Sequence, residues 1–126
     1  MARKQFPFEK LEGWQEARQL ALEVYQNTRT FPKTELYGMT SQLNRSSMSV
    51  AGNLAEGSGR AGLKDQSHFS NQAYSSLMET ASHLIISTDL GLLSTESADP
   101  LLDRAYGLSV RIHNLRESQL RRASIK

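Results

Sequence analysis

The residues of this chain best equipped for chemistry are a glycine-rich run, three scattered histidines and a set of arginines towards the C-terminal end. Gly57-Ser58-Gly59-Arg60-Ala61-Gly62 carries the letters GxGxxG. In a dinucleotide-binding fold those glycines follow a strand and lay a pyrophosphate on the N-terminus of the next helix. Here a helical pattern precedes Gly57 and no βαβ unit can be drawn, so that fold is set aside. Two readings stay open: a helix end running into a flexible loop, or a cradle for one phosphate built from backbone amides, Arg60, Lys64 and the following helix start. His68, His83 and His113 show no i,i+4 pairing with one another and have no cysteine partner, which argues against a metal site. Serines are abundant, but there is no GxSxG elbow and no arrangement of His with Asp that supports a nucleophile. The expectation is a non-enzyme with no catalytic residues, no metal and no cofactor.

The arginines allow a different chemistry. Arg104, Arg111 and Arg122 are separated by steps that nearly restore the azimuth of a helix, and Arg121 and Lys126 extend the stripe. Such a row could follow a phosphate backbone together with Arg60 and Lys64. A solvated face, or salt bridges to an acidic third segment, accounts for it equally well. Tyr106 is the one aromatic among these arginines, so sequence-specific reading of RNA is not indicated. A last polar group, Arg45, Asn53, Glu56 and Glu79, lies on or beside apolar seams. Buried charge is costly unless paired, so Arg45 is expected to pair with Glu79 or Glu56.

These side chains must be positioned by helices. The 126 residues suffice for one domain, and four helices of about 20 residues with short loops would use nearly all of them. The three prolines leave two long proline-free stretches. In the first segment, Trp14, Ala17, Leu20, Ala21, Val24, Tyr25 and Thr28 share one side of a helix expected over about 11–29. Phe31-Pro32 ends it. The second helix is expected over 35–57, capped by Thr34 and closed by Gly57, with Leu36, Thr40, Leu43, Ser47, Val50 and Leu54 stepping four and three. The third is expected over 64–92, capped by Asp65 or Ser67, with Leu77, Ala81, Leu84, Thr88 and Gly91 in the same rhythm. Met78 and Ile85 mark a second apolar edge on it, suited to another subunit, and Leu22 is apolar outside the seam of the first. The fourth is expected over 99–122, with Pro100 in its first turn and Leu101, Ala105, Leu108, Ile112 and Leu115 as its seam. Residues 1–10 read as an irregular arm. The period of 3.5 residues points to an all-α fold, an antiparallel up-down four-helix bundle in a single domain.

Charge and composition narrow the setting. The net charge of +2 is small, but residues 65–96 carry four acids and no Lys or Arg, while residues 97–126 carry six Lys or Arg against three acids. There is no cysteine, no apolar run of membrane-spanning length and no apolar stretch after the charged N-terminus, so a cytoplasmic protein with no membrane partner is expected.

The stretch from Leu43 to Arg60, LNRSSMSVAGNLAEGSGR, resembles the R-x-x-x-S-x-x-x-N-[IL]-A-E-G-x-G-R block of the bacterial four-helix-bundle proteins encoded in large-subunit rRNA intervening sequences. Ala73-Tyr74-Ser75-Ser76-Leu77-Met78-Glu79 is similar to a second block, A-x-G-S-L-x-E, with Ser75 in place of the usual Gly. Phe8-Glu9-Lys10-Leu11 and Trp14-Gln15-Glu16-Ala17 fit the opening pattern of that family. The resemblance implies an up-down bundle assembling into a ring, typically a homopentamer, without catalytic residues. It also implies kinship with the accessory variability protein of diversity-generating retroelements, a basic pentamer that binds nucleic acid and its reverse transcriptase. Arg45, Asn53, Glu56, Gly57, Arg60, Ser76 and Glu79 match motif positions. The expected function is an oligomer binding RNA or DNA non-specifically through Arg60, Lys64, Arg104, Arg111, Arg121 and Arg122. The alternative is an oligomeric adaptor for another protein.

Overall fold

A computed structural model of the chain describes residues 3–125. It contains four helices, α1 (Glu12–Thr28), α2 (Met39–Ser58), α3 (Leu63–Asp89) and α4 (Thr95–Ser124), and no strand occurs among the described residues. Short 3-10 turns at Pro7–Lys10 and Lys33–Glu35 precede α1 and α2.

The seams read from the sequence form the interior. Leu20 and Val24 of α1, Leu43, Val50 and Leu54 of α2, Leu77 and Leu84 of α3, and Leu101, Leu108 and Ile112 of α4 join one buried cluster. Each such side chain contributes about 1.5–3 kcal/mol by leaving water, and no single helix could bury its stripe alone. Neighbouring helices meet in opposite order along the chain. On α2 and α3, Arg45 meets Glu79, Ser49 meets Ser76 and Gly57 meets Phe69. On α1 and α4, Arg111 meets Glu12 and Glu16 while Arg104 meets Glu23. No helix is long and apolar enough to cross a membrane.

Several boundaries differ from expectation, each for a local reason. The N-terminal arm is partly ordered: Arg3 contacts Glu9 at 2.6 and 2.8 Å, and the Phe6 N–H donates to Glu9 at 2.7 Å. The Arg3 hydrogen bond first, and the Phe6 amide second, hold the Glu9 carboxyl down to about 2. Phe6 stacks on Phe8, and Phe8 meets Trp14 edge-on, which docks the arm on α1. The second helix starts at Met39 rather than 35. Thr34 is not its cap; Gly38 is, with φ −111° and ψ −116°, and the Glu35 carboxylate accepts from the Met39 N–H at 3.3 Å. Leu36 is thereby left exposed outside the helix.

The third helix is preceded by Gly62, without a side-chain cap from Asp65 or Ser67; the Ser67 hydroxyl donates back to the Lys64 carbonyl instead. It ends at Asp89, two to three residues early. Gly91 at φ +78° lets the Leu92 and Gly91 amides return to the Ser87 and Thr88 carbonyls, satisfying the helix end. The fourth helix begins four residues early, at Thr95. Ser94 accepts from the Ser97 N–H at 3.1 Å, and buried Leu93 and Ala98 dock the first turn. Pro100 consequently sits in the second turn rather than the first.

Gly57 does not close α2. It lies inside the last turn, fully helical and buried, and a Cβ there would come within 2.8 Å of the Phe69 Cβ. Its lack of a side chain serves a close approach of α2 to α3. The helix ends one residue later, at Ser58.

Candidate nucleic-acid interface

The motif residues converge on the α2–α3 junction. Arg45 donates to Glu79 at 2.8 Å and to Gln42 at 2.7 Å. Burial pushes the Glu79 carboxyl up, but hydrogen bonds from His83 and Arg45 outweigh it and hold the group below the usual carboxylate range. Ser49 and Ser76 share a hydrogen bond of 2.9 Å, and Asn53 donates to the Ser49 carbonyl and hydroxyl. Deeper in the same junction the Thr80 hydroxyl donates to Ser46 at 2.8 Å. Glu56 reaches Arg60 at 3.7 Å, and Gly57 completes the contact against Phe69. Small hydroxyl side chains let the two helices approach, and pairing across the junction satisfies the groups that approach buries.

The arginine row divides into two groups. Arg104 pairs with Glu23 at 3.1 Å, and Arg111 pairs with Glu12 at 2.6 Å and Glu16 at 3.2 Å. The acidic partner is therefore α1, not the third helix. The acids of α3 are turned elsewhere, Glu79 to Arg45 and Asp65 to Arg60. Arg104 and Arg111 thus each have a carboxylate of α1 beside them. Arg116, between the two groups, donates to Asn71 at 2.9 Å and lies over the Tyr74 ring.

The second group sits at the end of the molecule where α2 and α4 finish and α1 and α3 begin. Arg60 lies over the Phe69 ring at 4.6 Å, with Glu56 and Asp65 each 3.7 Å away. Lys64, Arg121 and Arg122 are exposed and have no carboxylate within 4.0 Å among the described residues, and Lys126 lies outside them. Arg122 borders a cavity of about 250 Å³ whose wall also includes Leu11, Gly57, Ser58 and Gln66, which places the α4 terminus against the glycine-rich run. Lys10, exposed beside Leu11, is a further cation at this end that the sequence pattern did not single out. The signal was absent because Lys10 lies in the arm, far along the chain from the arginines.

Elsewhere, Glu79, His83 and Ser87 succeed one another along α3. His83 Nε2 is 3.2 Å from Glu79, while His83 Nδ1 and Ser87 Oγ are buried without a partner among the described residues. Ser87 is fully buried, so no substrate can reach its hydroxyl. No cluster of three or more potential metal ligands occurs among the described residues. On the outer face of α1 and α2, an apolar groove of about 320 Å³ is bordered by Trp14, Leu22, Tyr25, Met48 and Ala51. Met78 and Ile85, on α3, are exposed.

Comparison with known proteins gives a fold relative and a family. A solved structure of a protein of unknown function from the S23 ribosomal protein family of Bacteroides thetaiotaomicron is similar, with a TM-score of 0.75 and 15% identity. The similarity covers 82% of this chain and 97% of that one. No curated protein matches the chain. The family model described as 23S rRNA-intervening sequence protein matches residues 9–114, a span that takes in the α2–α3 junction and all but the end of α4. The chain belongs to the 23S rRNA-intervening sequence protein family.

Proposed function

We propose that this protein is a non-enzymatic, cytoplasmic, up-down four-helix bundle that assembles into a ring-like homo-oligomer, a pentamer by analogy, and binds RNA or DNA without sequence preference. The observation that carries the binding reading is the group of Lys64, Arg121 and Arg122 at one end, cations with no carboxylate within 4.0 Å among the described residues. A phosphate backbone supplies the counter-charge. The family's description, which refers to a 23S rRNA intervening sequence, supports the same direction. Ring assembly is supported by two apolar features on different helices, the α1–α2 groove and the Met78–Ile85 edge of α3. A contact between unlike patches is head-to-tail, and such contacts close into rings when the rotation allows.

The test is a titration of labelled single- and double-stranded oligonucleotides across a salt series, with the solution mass measured in parallel. Affinity should fall steeply with salt, and Arg121→Ala with Arg122→Ala should flatten the slope by about one counterion per charge removed. Absence of binding at low salt, or binding indifferent to salt, overturns the nucleic-acid reading. The second reading, an oligomeric adaptor for another protein, is favoured by the same apolar groove. Its mark is co-purification with a protein partner that survives nuclease treatment.

A further inference from the structure

We infer that the cavity at the Arg122 end holds one unpaired base of a single-stranded nucleic acid, with the adjoining phosphate on Arg122; this site rests on the nucleic-acid reading above. The volume, about 250 Å³, is smaller than the ~300–1,000 Å³ of pockets for drug-sized ligands and suits a single ring system. Leu11, Leu54 and Leu115 furnish apolar walls, and bases are held between apolar as well as aromatic side chains.

The polar groups at the cavity are incompletely used by the protein. Gln119 is only 6% exposed. Its Oε1 accepts from the Ser70 hydroxyl at 2.7 Å, which leaves Nε2 without an acceptor among the described residues. The residue is largely buried but Nε2 itself is not sealed from solvent, so it is free to donate to an incoming group, whereas an apolar side chain here would also leave the buried Ser70 hydroxyl without its acceptor. Asn53 is fixed by donating from Nδ2 to Ser49, at 2.9 Å to the carbonyl, so its Oδ1 remains an unused acceptor. Gln66 donates from Nε2 to the Arg60 carbonyl at 2.8 Å and likewise keeps Oε1 unused. The cavity thus offers a donor and two acceptors between apolar walls.

That set fits the edge of a nucleobase, which presents donors beside acceptors. It does not fit a bare anion, which the two carbonyl oxygens would repel. In a duplex the same base edge is already paired, so a single strand is the form that can deliver it. Outside the amides, Arg122 spends only Nε on the Ser118 carbonyl, at a long 3.4 Å. Its outer nitrogens can fork onto a phosphate, with Arg121 beside it on α4.

The experiment measures binding of a labelled single strand and of the same sequence as a duplex to the full chain, to Gln119→Leu and to Arg122→Ala. Side-chain amide signals of Gln119 and Asn53 are followed by NMR during titration with nucleoside 5′-monophosphates. Gln119→Leu keeps a side chain of similar bulk, Arg122→Ala alters an exposed position, and circular dichroism verifies that both fold. The expected result is a single-strand preference, about tenfold weaker single-strand binding in each variant as one lost hydrogen bond to a charged or buried group implies, and shifted amide signals. Equal binding of single strand and duplex, with Gln119→Leu unchanged, overturns the base site while leaving the nucleic-acid reading intact. If neither oligonucleotide binds, the broader reading fails and the base site fails with it; amide signals unshifted by the monophosphates refute the base site even where the oligonucleotides bind.

Discussion

Replacing Gly57 by alanine should destabilise the protein, although the same change elsewhere in α2 should stabilise it. Two opposing effects meet at this position. Alanine is favoured over glycine in a helix by about 0.5–1 kcal/mol, less near a helix end. Against that, the added Cβ would stand 2.8 Å from the Phe69 Cβ and 3.5 Å from the Gln66 carbonyl oxygen. The nearest atom is itself a Cβ, so no side-chain rotation relieves the clash and the two helices must separate. Overpacking of this kind costs about 1–3 kcal/mol. The net expectation for Gly57→Ala is a loss of roughly 1–2 kcal/mol, a fall in Tm of about 4–8 °C for a chain of this size. Gly52 is the internal control, because it lies in the same helix and a Cβ there meets nothing within 4 Å. Gly52→Ala should gain about 0.5–1 kcal/mol. Both variants are compared with the parent by urea and thermal denaturation at one protein concentration, since assembly would make Tm concentration-dependent. If Gly57→Ala matches Gly52→Ala, or is the more stable of the two, the close approach of α2 to α3 at this point is wrong.

Three further outcomes follow from the geometry. Arg104→Ala and Arg111→Ala should leave the salt slope of nucleic-acid binding unchanged while costing at most about 1 kcal/mol each in denaturation, because their partly exposed partners are on α1. Ser94→Ala should cost about 1 kcal/mol through loss of the hydrogen bond from the Ser97 N–H, measured by thermal melting, and Ser97→Ala should cost less because that bond uses its backbone. Glu9 is held at about 2 in the folded chain, below its usual 4.5, so its contribution is complete above about 4.5 and is lost as pH falls through about 2. Trp14 fluorescence, sensitive to Phe8 beside it, should report the arm loosening across that window, and Arg3→Ala should move the change to higher pH.

The sequence determined the helices and most of the core, since a seam stepping four and three residues is a local property of the chain. Leu101, Ala105, Leu108 and Ile112 are buried where their spacing put them. That Arg45 pairs with Glu79 or Glu56 was legible from their places beside the seams; the structure gives Glu79, though with the Arg45 side chain exposed rather than buried. Periodicity specifies which face of a helix is buried, but not which helix covers the remaining faces. For that reason the carboxylates opposite Arg104 and Arg111 could be assigned only once α1 was seen beside α4. The same holds for Gly57, whose letter suits a helix end as well as a helix crossing. Only the distance to Phe69 decides between them. The cavity at the Arg122 end draws residues from the starts of α1 and α3 and the ends of α2 and α4, and no local pattern in the chain brings those four termini together.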